Sequence, residues 1–171
     1  MSTAIDRSVL SLPRAQWAQH PHYPSQVLLL GGHKTFRHLS RVLLRRAETG
    51  GDIPGIGWVF AQWKSAMGSH EGYEEHKLYP YLEARWGLSC AALQAGHTAL
   101  HACDQAVRDA LRDADRGALV AALREHDRVL LDHLDDEEAL VIPALLALSP
   151  GEFDTYARSD IRTLLAGLVR H

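Results

Sequence analysis

The chain has 171 residues, a formal net charge of −3, and 46% hydrophobic and 23% charged residues. These values are typical of a soluble globular domain, and because no basic run occurs we expect no nucleic-acid partner. No segment approaches the roughly 18 consecutive apolar residues that a membrane span needs, so no membrane partner is expected. The N-terminus lacks the pattern of an export signal, and Cys90 and Cys103 lie within helical patterns. We therefore expect a cytoplasmic protein without a disulfide framework.

The first 24 residues contain three prolines and little periodicity, which predicts an irregular N-terminal arm. A first helix is predicted over about residues 25–48, with Ser25 as its N-cap and a glycine pair as its stop. Its apolar face carries His33, whereas His38 shares the opposite face with lysine and arginine. We therefore expect His33 to point into the protein and His38 to point to solvent.

A second helix, predicted over about residues 56–86, carries a histidine and a glutamate four positions apart on its inward face. The segment from His70 to Pro80 has a near copy from His133 to Pro143. In both copies the histidine is followed by glutamate at the fourth and fifth positions and by proline at the tenth. Chance does not readily produce four matches within eleven residues. We also expect Pro80 to kink or thin the second helix.

Two further helices repeat the four-residue spacing. A third helix, over about residues 90–114, places His97 and His101 on its inner face. A fourth helix, over about residues 117–148, places His133 and a glutamate four positions later on its inner stripe. Candidate metal ligands therefore occur mid-helix in all four segments, and antiparallel packing would bring them to one level of the core.

Four long helices joined by short loops predict an all-α protein built as an up-down-up-down four-helix bundle. We assign residues 1–24 to the arm, residues 25–148 to the bundle, and residues 149–171 to a short C-terminal fifth helix that packs on the bundle. No alternation of useful length indicates a β-strand.

The inward-facing polar residues are five histidines and two glutamates: His33, His70, Glu74, His97, His101, His133 and Glu137. Burial of unpaired polar groups costs on the order of a few kcal/mol each. We therefore favour a metal site over a set of hydrogen-bonded core histidines. Seven ligands are too many for one ion, and carboxylates that bridge two ions would use them economically. This donor set favours two iron ions, with manganese or zinc less favoured.

The series His33, His70-x3-Glu74, His97-x3-His101 and His133-x3-Glu137 resembles the hemerythrin-like HHE cation-binding domains over about residues 25–148. The resemblance implies a non-heme di-iron centre with an open position for a small ligand. It implies that His97, His101 and His133 bind one iron, that His33 and His70 bind the other, and that Glu74 and Glu137 bridge them. The competing ferritin-like pattern needs a glutamate three residues before a histidine, and the chain contains no such pair.

The last carboxylate departs from the oxygen-carrying branch of that family, which has an aspartate five positions after its histidine. Here Glu138 occupies the fifth position after His133, and Glu137 occupies the fourth. The fourth position lies about 40° around a helix from the histidine and the fifth about 140°. We therefore prefer Glu137 as the bridging residue and retain Glu138 as the alternative. The departure also weakens the expectation of reversible oxygen carriage.

A second polar layer is expected two helical turns from the ligands, and it contains Trp63, Asp104, Arg108 and His126. It would handle protons or orient the ligands, and the alternative is a simple buried contact between His126 and Asp104. Tyr73 lies beside Glu74 and is interpreted as packing, with a supporting role as the alternative. The opposite side of the site is apolar and is expected to admit a small molecule.

Two classes of function fit these features. One is a binding or sensing protein that engages dioxygen, peroxide or nitric oxide at an open iron position. The other is a di-iron oxidase or an enzyme that handles peroxide or nitric oxide. Iron storage or buffering is a weaker alternative, because the chain lacks the extra carboxylates that moving many ions requires. The two main classes differ in the pocket and in the residues behind the ligands.

Overall fold

The computed structural model describes residues 10–27 and 29–168. All regular elements in these residues are helical, which confirms the all-α class. Residues 1–9 of the expected arm, residue 28 and the last three residues of the expected C-terminal segment lie outside the described part. Among the described helices, none combines the length and the apolar character that crossing a membrane requires.

Four long helical segments form the body of the protein. The elements are a short 3₁₀ helix (Arg14–Gln19), α1 (Leu29–Glu48), α2 (Ile53–Tyr73), a π-helical turn (Glu74–Leu78), α3 (Tyr79–Trp86), α4 (Ala91–Arg112), α5 (Arg116–Leu146), α6 (Pro150–Arg158) and α7 (Ile161–Leu168). Helices α2 and α3 are joined through the π-turn without a break. Helix α1 packs on α2, α2 on α4, α4 on α5, and α5 back on α1. Short connections between these neighbours give the expected up-down-up-down bundle.

The first helix starts later than the sequence predicts. Residues 20–26 form turns, and α1 begins only at Leu29. The Ser25 hydroxyl donates a hydrogen bond back to the His22 carbonyl at 2.8 Å. It therefore does not cap the helix, and the expected start at Ser25 is wrong. The second helix starts slightly earlier than predicted, because the Asp52 carboxylate accepts a hydrogen bond from the Gly55 N–H at 2.7 Å.

The C-terminal segment forms two helices rather than the single fifth helix that the sequence predicts. The break follows α6, and Asp160 begins the next turn by accepting a hydrogen bond from the Thr163 N–H at 3.0 Å. Asp160, the N-cap of α7, is a local sequence signal for this break, but the apolar residues on both sides of it favoured a single helix. Both helices contribute to the core, because Tyr156 and Leu164 are buried among residues of α3 and α5.

The π-turn lies where the sequence predicts a disturbance of the second helix. Pro80 has no N–H and cannot donate to the carbonyl of His76. The N–H of Tyr79 instead donates to the carbonyl of Glu74, five residues earlier. The helix is therefore widened rather than broken, and the widened turn begins at a candidate metal ligand. Single π-turns of this kind are frequent at functional sites.

Two large apolar clusters flank the site, the first around Phe36 and Trp63 and the second around Leu78 and Tyr79. A third, smaller cluster around Trp17 joins the N-terminal arm to α5. The His70 ring packs against Phe36 of the first cluster, with the ring centroids 5.1 Å apart. The ring of His97 stacks on Tyr79 of the second cluster at 5.9 Å. The polar site therefore lies where the two apolar clusters meet.

Candidate metal centre

Four of the predicted ligands come together in the middle of the bundle. One ligand atom from each of His33, His70, Glu74 and Glu137 lies within 4.8 Å of all the others. His33 Nε2 lies 3.0 Å from His70 Nε2, and His70 Nε2 lies 2.7 Å from Glu74 Oε1. Two ligands at right angles, each bound at about 2.1 Å, are about 3 Å apart. The spacing of these side chains is therefore that of neighbouring ligands around one ion.

Two further histidines approach the same carboxylates from other directions. His97 Nε2 lies 3.4 Å from Glu74 Oε2, and His133 Nε2 lies 3.8 Å from Glu137 Oε2. The centroids of the His97 and His133 rings are 4.6 Å apart. Glu74 thus presents one oxygen to His70 and its other oxygen to His97.

Several buried ligand atoms lack hydrogen-bond partners among the described residues. They are Glu74 Oε1, Glu74 Oε2, His97 Nε2, His133 Nε2 and Glu137 Oε2. The great majority of buried polar atoms are paired, because an unpaired one loses its hydration without compensation. These atoms belong to imidazole and carboxylate groups, which are metal ligands, and they converge on one place. The residues present therefore fit a bound metal cation.

The Nδ1 atoms of His33 and His97 are contacted by the second glutamate of each repeated pair, a role that the sequence pattern did not predict. The ring Nδ1 of His33 lies 3.0 Å from Glu138 Oε1, and the Nδ1 of His97 lies 2.8 Å from Glu75 Oε1. The two glutamates of each repeated pair therefore have different contacts. In each copy the first glutamate enters the cluster, and the second contacts a histidine on a neighbouring helix. Such contacts fix the tautomer and the orientation of a ligating histidine.

A hydrogen bond from a neighbouring side chain also orients the Glu137 carboxylate. The Tyr79 hydroxyl donates a hydrogen bond to Glu137 Oε1 at 3.1 Å, which leaves Oε2 facing the histidines. Glu138 instead turns toward α1, where Arg37 Nη1 also contacts it at 2.5 Å. The structure thus brings Glu137, and not Glu138, into the ligand cluster. The sequence signal for the supporting role was the second glutamate of each repeated pair.

Opposing charges set the protonation of the histidines. Burial lowers the pKa of His33, but the neighbouring carboxylates of Glu137, Glu138 and Glu74 outweigh it and raise the pKa to about 10. Burial also lowers the pKa of His97, and its carboxylate partners Glu74 and Glu75 raise it to about 9. In contrast, burial and the nearby His97 lower the pKa of His133 to about 4. Two of the ligands thus bind protons tightly where a metal cation would otherwise balance the carboxylates.

Residues 27–145 match the hemerythrin HHE cation-binding domain. The chain belongs to the hemerythrin HHE family. No curated protein and no solved structure gives a significant match. The matched hemerythrin domain runs from just before α1 to the last turn of α5 and so includes all the ligand-bearing helices. Helices α6 and α7 lie outside it.

One predicted ligand of the hemerythrin domain lies outside the cluster. The His101 side chain is 53% exposed, and its Nε2 lies 3.1 Å from Glu71 Oε2. The expectation that it faces inward is wrong. The buried stripe of α4 runs through His97, Leu100 and Asp104, so Leu100 takes the inward position and His101 lies at its edge. Glu71 is buried and was not predicted, although it directly follows the ligand His70 in the sequence.

Three of the four residues proposed for a second polar layer are buried next to one another. Trp63 and His126 are buried with their rings 4.6 Å apart, and His126 Nε2 lies 3.3 Å from Asp104 Oδ1. Arg108 is exposed and donates a hydrogen bond to Gln105 at 2.7 Å, so its expected place in this layer is wrong. It stands seven residues after His101 and follows the same outward stripe.

An apolar pocket of about 340 Å³ reaches the site at His70. Leu29, Leu78 and Leu145 line it on the bundle side, and Phe153 and Tyr156 of α6 line it on the other. Tyr73 belongs to the same wall, and its hydroxyl is hydrogen-bonded to that of Tyr156. The wall formed by α6 thus comes from outside the matched hemerythrin domain.

Proposed function

We propose that this hemerythrin-family protein holds two iron ions and binds dioxygen, peroxide or nitric oxide beside His70. In this proposal His33 and His70 bind one ion, His97 and His133 bind the other, and Glu74 and Glu137 lie between them. The observation that carries it is the convergence of buried imidazole and carboxylate atoms without hydrogen-bond partners. Imidazole with carboxylate is a donor set that favours iron, and manganese or zinc fit it less well.

Ligand access is proposed at His70 because this histidine is the least buried member of the cluster. Its side chain is 14% exposed, whereas that of His33 is fully buried. The pocket in front of His70 has mainly apolar walls, which would admit an uncharged small molecule and disfavour bulk water. Bound iron would supply an open coordination position and electrons for such a molecule.

A second candidate is an oxidase or a peroxide-handling enzyme that acts on a small organic substrate. The pocket volume of about 340 Å³ favours it, because one water molecule occupies only about 30 Å³ of liquid. The outward position of His101 also favours it, because one protein ligand fewer leaves a further coordination position open for a substrate or peroxide. Each ion would then have two histidines, rather than the three and two that the family resemblance implies.

Metal analysis and stopped-flow absorption of the anaerobic, iron-loaded, reduced protein mixed with oxygen test both candidates. We expect about two irons per chain, because the proposed ligands are too many for a single ion. A stable oxygen-dependent spectrum that reverses when oxygen is removed would support a binding or sensing protein. Rapid irreversible oxidation, followed by turnover with peroxide, would support the enzyme. A single zinc with no iron would refute the di-iron proposal.

A further inference from the structure

A second concave region lies on the other side of α1, between this helix and the N-terminal arm. It has a volume of about 550 Å³. Four permanent cations line it: Arg14, Lys34, Arg37 and Arg41. Glu138 is the one carboxylate in the lining, and Asp135 contacts Arg14 and Arg37 from outside the lining. The chain as a whole carries a net charge of −3, so this concentration of positive charge is local. A concave basic surface concentrates anions more strongly than a flat one does.

The cations on α1 are not all used by the protein itself. Among the described residues, no ion pair or side-chain hydrogen bond is made by Lys34, His38 or Arg41, whose side chains are exposed. Their spacing of four and three residues places them along one face of the helix. Tyr23 lines the same pocket from the arm, and the buried Trp17 lies behind the Arg14 guanidinium, whose Cζ is 5.4 Å from the centroid of the indole ring. Unpaired cations beside aromatic side chains suit an anion that carries a flat apolar body.

The remaining cations connect the pocket to the metal centre. Arg37 Nη1 contacts Glu138 Oε1 at 2.5 Å, and Arg14 Nη2 contacts Glu138 Oε2 at 2.5 Å. Glu138 Oε1 also contacts His33 Nδ1 at 3.0 Å. Arg37 Nη2 and Arg14 Nη1 also contact Asp135 Oδ1, at 2.8 and 3.2 Å. A guanidinium has five N–H donors, so an anion bound beside Arg37 or Arg14 competes with both carboxylates and shifts the contacts that the two arginines make with Glu138. The contact of Glu138 with His33 changes as a result, and so does the ligand character of His33.

We propose that this pocket binds a phosphate monoester with an apolar body, and that its occupancy is coupled to the metal centre through Arg37, Glu138 and His33. The unpaired Arg41 guanidinium can offer two parallel donors to a tetrahedral oxyanion, and Lys34 adds a point charge. Coupling between two sites is reciprocal, so metal occupancy must change the affinity for the anion by the same factor. The binding step stands on the pocket alone, and only the coupling rests on the proposed metal site.

Isothermal titration with phenyl phosphate tests the binding step, at an ionic strength held constant with chloride. We expect saturable binding to the purified protein, and binding weakened by about tenfold or more in the double variant K34A/R41A. Inorganic phosphate is expected to bind more weakly, because it lacks the apolar body. The double variant R108A/R162A removes two exposed arginines elsewhere and should bind like the wild type. Equal affinity in K34A/R41A and the wild type would refute the pocket, and would show that the anion binds elsewhere or at the metal.

The same titration on metal-loaded and chelator-treated protein tests the coupling. We expect the two forms to differ severalfold in affinity for phenyl phosphate, and E138Q to remove that difference. The metal content, measured after each titration, shows whether the anion strips the metal. If the two wild-type forms bind equally, the coupling is refuted while the pocket stands. A chain that binds no metal but still loses anion affinity in K34A/R41A would refute the proposed function and leave the pocket intact.

Discussion

Gly96 on α4 lies directly against the ring of His133 on α5. A Cβ at Gly96 would lie 2.4 Å from His133 Nδ1. This separation is far inside van der Waals contact, so the side chain at this position must be hydrogen if the ring is to keep its place. The glycine therefore positions a candidate metal ligand on the neighbouring helix.

Gly96→Ala should displace the His133 ring and lower the iron content from about two ions toward one per chain, because His133 belongs to the second ligand pair. Metal analysis of the purified variant measures this change. Gly68→Ala is the matched control, since a Cβ there meets nothing within 4 Å, and it should keep the metal. Full iron content in Gly96→Ala would contradict the proposed role of His133.

Glu137→Gln and Glu138→Gln should have different effects, although the residues are adjacent. The first removes a charge from the ligand cluster and should abolish binding of at least one ion. The second leaves the cluster in place and loosens the support of His33, so metal affinity should fall by about 10- to 100-fold. Competition with a chelator measures both affinities. A greater loss in Glu138→Gln would favour Glu138 as the bridging residue.

His101→Ala should retain the metal content of the wild type, because the His101 side chain points to solvent and contacts Glu71 instead of the cluster. His97→Ala should lose metal, because the buried His97 Nε2 faces Glu74. Both substitutions remove one imidazole from the same helix, so each controls for the other. If iron is lost equally from both variants, His101 is a ligand after all.

Gly32→Leu should narrow the pocket in front of His70 without removing a ligand. A Cβ at Gly32 would lie 3.7 Å from His70 Cε1, whereas a Cβ at Gly31 meets nothing within 4 Å. We expect slower reaction of the reduced iron-loaded protein with oxygen in Gly32→Leu and no change in Gly31→Leu. Stopped-flow absorption at matched iron content measures the rates. Unchanged rates in Gly32→Leu would show that the ligand enters elsewhere.

The chelator-treated protein should lose thermal stability as the pH rises from neutral toward 9 or 10. The pKa of His33 is raised to about 10 and that of His97 to about 9, above the ordinary value of about 6.5 for histidine. Their protonated forms therefore stabilise the fold fully below about pH 6.5, and this stabilisation is lost as the pH rises through the raised values. Melting temperatures across this range measure the effect. His33→Gln should flatten the pH profile, and an unchanged slope would contradict it.

Much of the fold was readable from the sequence because it depends on short-range periodicity. The apolar stripes of α1 and α2 correctly predict that His33 and His70 meet, and the stripe of α5 correctly predicts that His133 is buried. The repeated His-x3-Glu-Glu segment marks the positions of Glu74 and Glu137 because residues four apart share a helix face. The proline at the tenth position of the first copy predicts the disturbance that becomes the π-turn.

What the sequence alone determined is therefore the helices, their inward faces and the residue types of a metal site. Tertiary packing decided which groups at the edges of those faces turn inward. On α4, Leu100 is buried and the adjacent His101 lies at the edge of the inward face, where it is exposed. On α5, Glu138 contacts Arg37 and His33 of α1 instead of the ligand atoms. A helical pattern specifies a side chain's direction only to within a few tens of degrees. The partner on the neighbouring helix then decides between core and surface, because a buried charge must find its counterpart there.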